Sequence, residues 1–321
     1  MLPLECQPIL KRIRWGGRRL ERLGKNLGEG HDYAESWELA DHGDDQSVVL
    51  NGEHAGWTLR RLVEEKNAEL FGRHAGLKQF PLLVKFLDAN DRLSVQVHPN
   101  DEQAKQYAPH ENGKTEAWVI VDAEPGAKLY AGLKEGVTPD QLRQASIDGT
   151  VENLLHSFEV SPGECVFIPA GTVHAIGAGI LLAEIQQMSN LTFRLFDWGW
   201  VDANGKPRQI HLEESLACTD FARGPARPVD PHRHEHRHGV TDDLVRSDYF
   251  EMRRHVLERD HRLPVEDHFR ILTVLKGTGD LVAGDASMRF SLGRTVLIPA
   301  ECPQVTIHPL AEMIVLEACV P

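Results

Sequence analysis

The sequence predicts a mainly β protein of two jelly-roll domains with a few short helices, and three observations carry that prediction. The first is a unit that occurs twice. Residues 161–174 read SPGECVFIPAGTVH and residues 291–304 read SLGRTVLIPAECPQ, sharing the frame S-x-G-x-x-V-x-I-P-A. Two copies of one turn–strand–turn unit imply two similar domains. The second is the density of short strands broken by glycine turns, as in FRILTVLKGTGDLVAGD and MRFSLGRTVLIPA, a pattern of sandwiches and barrels. The third is length, because 321 residues suffice for two cores.

The elements follow in order. Residues 1–55 are mixed, with Gly16-Gly17 after Trp15 and an HDYAESWEL stretch. Residues 58–71 predict a helix: Thr58 can cap it, Leu59, Leu62, Val63 and Leu70 are apolar, and Gly72 can end it. PLLVKFLDA (81–89) and RLSVQVHP (92–99) predict strands. The second alternates, with Leu93, Val95 and Val97 on one face and Ser94, Gln96 and His98 on the other. Asn100 can cap a short helix in DEQAKQYA, and EAWVIVDA (116–123) predicts another strand. Two short helices are expected over 138–157, starting near Thr138-Pro139 and Thr150, with no counterpart in the second copy. Strands resume at CVFIPAG, GILLAEIQQ and LTFRLFDW, where His174 closes the repeat unit. The stretch 222–240, with three prolines and four alternating histidines, predicts a solvated linker. The expected division is therefore 1–225, a linker at 226–240, and 241–321.

Composition excludes some partners. A net charge of −13 argues against nucleic acid or an anionic membrane surface. No apolar run approaches the length of a membrane span, and the N-terminus lacks the apolar block of a signal peptide. Five cysteines without CxxC spacing suggest reduced thiols in a cytoplasmic protein. Oligomeric state is not legible.

Chemistry concentrates in the first copy. Gln96 and His98, two apart on one strand, point the same way. Glu116 opens the next strong strand, and His174 has Gln304 in its place in the second copy. Two imidazoles, a carboxylate and an amide oxygen form a possible Zn²⁺ site. From spacing alone the same residues also read as ordinary surface and turn positions.

The stretches PLLVKFLDANDRLSVQVHPND, GKTEAWVIVDAEPGAKLYAG and VFIPAGTVHAIGAGILLAEIQQMSNLTFRLFDWG, with WGGRRL and ESWELADH before them, resemble class I mannose-6-phosphate isomerases. The resemblance is close over roughly residues 12–212 and loose beyond, and it fits the compact bacterial form. It implies a cupin fold, in agreement with the jelly-roll reading. It further implies one Zn²⁺ per chain, a sugar-phosphate substrate, and zinc ligands at Gln96, His98, Glu116 and His174. Lys85, Ser94, Lys114 and Arg194 fall on the family's pocket positions, with Lys114 and Arg194 as catalytic candidates. One position departs: family members usually carry an aspartate four residues before the arginine, and here it is Asn190, whose amide cannot serve as a carboxylate base. The expected reaction is aldose–ketose isomerisation through an enediol. The alternatives are another metal-cupin enzyme or a non-catalytic sugar-phosphate-binding cupin. The second copy is expected to have lost its metal. Aligning Ala131-Gly132 with Ala283-Gly284 puts His268 opposite Glu116.

Overall fold

The computed structural model describes residues 1–321 and forms two antiparallel sandwiches. In the first, a six-stranded sheet runs in spatial order Cys165–Ile168, Glu116–Ala123, Ile180–Gln187, Leu82–Ala89, Tyr33–Leu39, Ile9–Gly17. It packs on a five-stranded sheet of Leu155–Glu159, Lys128–Leu133, His174–Ile176, Val95–Val97 and Phe193–Phe196. In the second, an eight-stranded sheet runs His232–His236, Gly239–Arg246, Glu251–Leu257, Met313–Cys319, Arg270–Lys276, Thr295–Ile298, Leu4–Gln7, Val48–Val49. A four-stranded sheet of His261–Arg262, Val305–Pro309, Thr278–Ala283 and Ala286–Ser291 covers it.

The two large sheets lie back to back. Leu181, Ala183 and Ile185 share one apolar core with Ile271, Leu297, Leu316 and Ala318. Phe71, Phe80 and Phe269 pack ring on ring within it, at centroid distances of 5.0 to 6.1 Å. A sheet covered on both faces needs apolar residues at odd and even positions. That explains why Leu82–Ala89 and Ile180–Gln187 are buried at every residue. It also isolates the exceptions. Lys85 and Glu184 are charged residues that point from those strands into the first sandwich.

Several expectations change. The helix over 58–71 is two helices, Leu59–Glu65 and Asn67–Phe71, because Lys66 leaves helical geometry at φ −131°. Thr58 caps the first by accepting from the Arg61 N–H. The strand at 92–99 shortens to Val95–Val97, with Val95 and Val97 buried and Gln96 on the other face half-buried. The repeat strand ends at Ile168, and His174 opens a new strand after the Pro169–Thr172 turn. The expected linker at 226–240 holds real structure: His232–His236 pairs with Gly239–Arg246 as a hairpin at the sheet edge. Polar cross-strand pairs such as Arg233–Asp242 at 2.8 Å hold it, so no apolar pattern announced it. At the other end of the chain, Leu4–Gln7 leaves the 1–225 segment to pair with Thr295–Ile298 of the second sandwich.

Candidate active site

The first sandwich is hollow at one end. A cavity of about 300 Å³ there is walled by Lys85, Ser94, Gln96, Lys114, Glu116 and Arg194, with Glu184, Asn190 and Arg208 beside them. Two sheets supply these groups. On the five-stranded sheet, His174 pairs directly with Gln96, and Gln96 with Arg194, so the three stand in one row. On the six-stranded sheet, Glu184 pairs with Lys85 and Glu116 with Gln186. The strand period of two turns Glu184 and Glu116 toward the same interior.

The centre of the site is His98, Glu116 and His174, no more than 1% exposed. His174 Nε2 lies 3.2 Å from Glu116 Oε1, and His98 Nε2 lies 3.5 Å from Glu116 Oε2. The outward ring nitrogens are occupied. His98 Nδ1 donates to the Leu191 carbonyl at 3.0 Å and His174 Nδ1 to the Thr172 carbonyl at 2.9 Å. A carbonyl only accepts, so each proton is fixed on Nδ1 and each Nε2 lone pair is aimed inward. This is how metal-binding histidines are oriented. Burial pushes both imidazoles below their ordinary range, His98 well below, with the charge of Lys114 adding to it. Both are therefore neutral, the ligand form. Gln96 completes the set with its side-chain Nε2 3.2 Å from His174 Nε2. A half-turn of that amide presents its oxygen instead.

Two buried oxygens in this cluster, Glu116 Oε2 and Glu184 Oε1, have no hydrogen-bond partner. Orphaned carboxylate oxygens beside two inward imidazole lone pairs are the donor set of a divalent cation, and these residues fit one.

Lysines surround the cluster. Lys114 Nζ lies 3.0 Å from Glu116 Oε2, 3.2 Å from His98 Nε2 and 3.7 Å from Glu184 Oε1. Lys85 Nζ lies between Glu184 at 3.3 Å and Glu35 at 3.7 Å. Burial alone would depress Lys85, but these two carboxylates outweigh it and raise its pKa. Glu184 moves up, chiefly through burial. For Glu116 burial also acts upward, yet Lys114 and His174, with the hydrogen bond to Glu184 and the charge of Lys85, together outweigh it and hold the carboxyl below its ordinary range. Arg194 donates from one terminal nitrogen to the Gln209 carbonyl at 2.8 Å, and burial pulls its pKa down. Asp197 fixes Arg208 at 2.7 Å and Arg14 at 3.4 Å, so it aims guanidinium groups instead of reacting. Trp198 takes the turn after it with φ +58° and donates to the Leu93 carbonyl at 2.7 Å.

All eight residues expected at the site come together here. Glu184 was not among the residues expected from sequence, where it was read only as part of a strand. Arg208 was missed as well. The available signal for Glu184 was a lone acid in the otherwise apolar strand GILLAEIQQ.

Register corrects the reading of the second copy. Ile168 pairs with Glu116, and its repeat equivalent Ile298 pairs with Arg270, so Arg270 and not His268 stands in the place of Glu116. The Ala-Gly dipeptides mislead by two residues at this strand and by one at their own. Ala131 pairs with His174, whereas Ala283 pairs with Val305, one past Gln304.

A family model for the catalytic domain of type I phosphomannose isomerase matches residues 1–127, and one for the mannose-6-phosphate isomerase cupin domain matches residues 241–317. The mannose-6-phosphate isomerase ManA of Bacillus subtilis is 36% identical to this chain, over 98% of both. The mannose-6-phosphate isomerase of Streptococcus mutans is 33% identical, over 92% of both. A crystal structure of the mannose 6-phosphate isomerase from Bacillus subtilis superposes with a TM-score of 0.91 at 28% identity, over 99% of each chain.

Proposed function

The chain belongs to the type I phosphomannose isomerases, in their compact bacterial form, and we propose how its own residues carry that reaction, the interconversion of mannose 6-phosphate and fructose 6-phosphate. The carrying observation is the pair of inward Nε2 lone pairs converging on Glu116, whose second oxygen is orphaned, at the floor of a cation-lined cavity.

We assign Gln96, His98, Glu116 and His174 as ligands of one Zn²⁺. Two imidazoles, a carboxylate and an amide oxygen suit redox-inert zinc better than an oxygenase iron. When bound, zinc supplies Lewis-acid stabilisation of negative charge on a substrate oxygen. The remaining work falls to the chain. Isomerisation takes a proton from C2 of the aldose, leaves its electron pair in an enediol, and returns a proton at C1. Lys114 is our candidate for that transfer, because it lines the cavity and stands 3.0 Å from Glu116 and 3.7 Å from Glu184. Glu184, buried beside it with a raised pKa, is the second group there able to exchange a proton. Asn190 cannot act as a base.

The phosphate dianion needs cations that are not already balanced. Lys85, expected from sequence to bind it, is flanked by Glu184 and Glu35, which favours a role in positioning Glu184. Arg194, which lines the cavity and donates to a backbone carbonyl and to no carboxylate, is better suited, with the Ser94 hydroxyl as a further contact.

The test is a coupled assay of fructose 6-phosphate formation from mannose 6-phosphate, with and without a chelator. The expected result is activity that disappears on chelation and returns with zinc. Full activity in metal-free protein would overturn the metal assignment.

A further inference from the structure

The hairpin at the edge of the second sandwich carries a cluster that the isomerase site does not use. His232 and His234 sit two apart on the edge strand and so share a face, and Asp243 stands opposite His232 in the register. His232 Nδ1 lies 3.0 Å from His234 Nε2, His234 Nε2 lies 2.9 Å from Asp243 Oδ2, and His232 Nδ1 lies 3.9 Å from the same oxygen. A triangle with those sides has a circumradius of about 2.0 Å, the length of a zinc–imidazole or zinc–carboxylate bond. An ion at its centre would touch all three atoms without moving them.

Neighbouring groups prepare the triangle. Arg253 lies 3.3 Å from the other Asp243 oxygen, Oδ1, which orients the carboxylate and leaves Oδ2 free for the histidines. The strand His232–His236 contributes no apolar residue to any core, so its histidines are not retained for packing. The two rings are 79% and 48% exposed and so are reachable from solvent.

We propose that His232, His234 and Asp243 form a second, exchangeable site for a divalent transition ion of the zinc class. Two imidazoles and one carboxylate select such ions over Mg²⁺ or Ca²⁺, which prefer oxygen ligands alone. Three ligands in one plane leave both faces open to water, so the site releases its ion more readily than the buried one. Its structural effect is a staple: the ion links the edge strand to Gly239–Arg246, which polar pairs alone otherwise hold.

The experiment is equilibrium dialysis of the full chain against excess Zn²⁺. Metal is counted per chain in wild type, in the double variant His232→Ala/His234→Ala, and in Asp243→Asn. Wild type should bind one ion more than the double variant, and all three proteins should keep wild-type isomerase activity. Amide exchange of residues 240–243 should slow on adding zinc in wild type and not in the variants. Equal stoichiometry in wild type and the double variant would overturn the site, including the case in which extra zinc binds His236, His238 or His261 instead. Loss of activity on chelation reports on the buried site, so the two proposals fail separately.

Discussion

The two sandwiches carry the same charged positions to opposite ends. Where the first has Lys85 paired with Glu184, the second has Arg253 paired with Glu317 at the same register. Trp118 faces Glu184 as Leu272 faces Glu317. Glu116 is matched by Arg270, and His174 by Gln304. In the second sandwich every one of these groups is answered. Glu317 meets His255 at 3.1 Å and Arg253 at 3.6 Å, and Arg270 meets Glu266 at 3.2 Å. Gln304 donates to the backbone carbonyls of Leu263 and Val305. The space beside Arg270 and Gln304 amounts to about 20 Å³, against about 300 Å³ in the first. One scaffold thus gives a hollow barrel, where two imidazoles and an acid meet, and a filled one, where a guanidinium takes the acid's place. A guanidinium in place of the Glu116 carboxylate disfavours a metal there, since it puts a fixed positive charge where an ion would sit.

The largest effect should separate the two copies of the repeat. His174→Ala removes an inward lone pair and should abolish activity with loss of bound metal, while Gln304→Ala should leave kcat and metal content unchanged. Steady-state kinetics with metal analysis reads both. An inactive Gln304→Ala that still folds would mean the second sandwich takes part in the chemistry.

The next contrast concerns the lysine. Lys114→Met should lower kcat by at least ~10² with zinc retained. Arg194→Ala should raise KM as well. Asn190→Asp sharpens the assignment, because a large gain in rate would show that a carboxylate at that position, and not Lys114, governs proton transfer. Near-normal kcat in Lys114→Met would remove Lys114 from its role.

The smallest effect lies in stability. Burial pushes Glu317 up, but His255, Arg270 and Arg253 outweigh it and bring its pKa down to about 2. A depressed carboxylate stabilises the fold above its unfolded pKa of about 4.3, and that stability is lost as pH falls toward the folded value. Glu317→Gln should therefore cost on the order of 3 kcal/mol at pH 7, with isomerase activity intact. Denaturant melts should show the difference from wild type shrinking as the pH falls from about 4 toward about 2. A constant difference over that range would place the effect in packing and not in charge.

How much of this was legible depended on whether the signal was local. His98, Glu116 and His174 sit in short motifs with strand alternation, so the family resemblance could single them out, although spacing alone left them open to ordinary surface roles. Glu184 lies on a strand buried on both faces, where the even positions mean something only once the interior is known. The match of Arg270 to Glu116 lies two residues from the one the Ala-Gly pairs suggest, and only the pairing register reveals it. The hairpin at 232–246 escaped because polar pairs hold it, and hydrophobic periodicity detects burial alone. The pairing of Leu4–Gln7 with Thr295–Ile298 spans nearly the whole chain and leaves no mark in either segment. Lys66 breaks a helix whose apolar spacing continues across the break.

The most direct test of the contrast is anomalous diffraction at the zinc absorption edge from crystals grown with excess zinc. The account predicts a peak among Gln96, His98, Glu116 and His174, with ligand atoms about 2.0–2.2 Å away, and none between Arg270 and Gln304. An empty first barrel, or an ion inside the second, would contradict it.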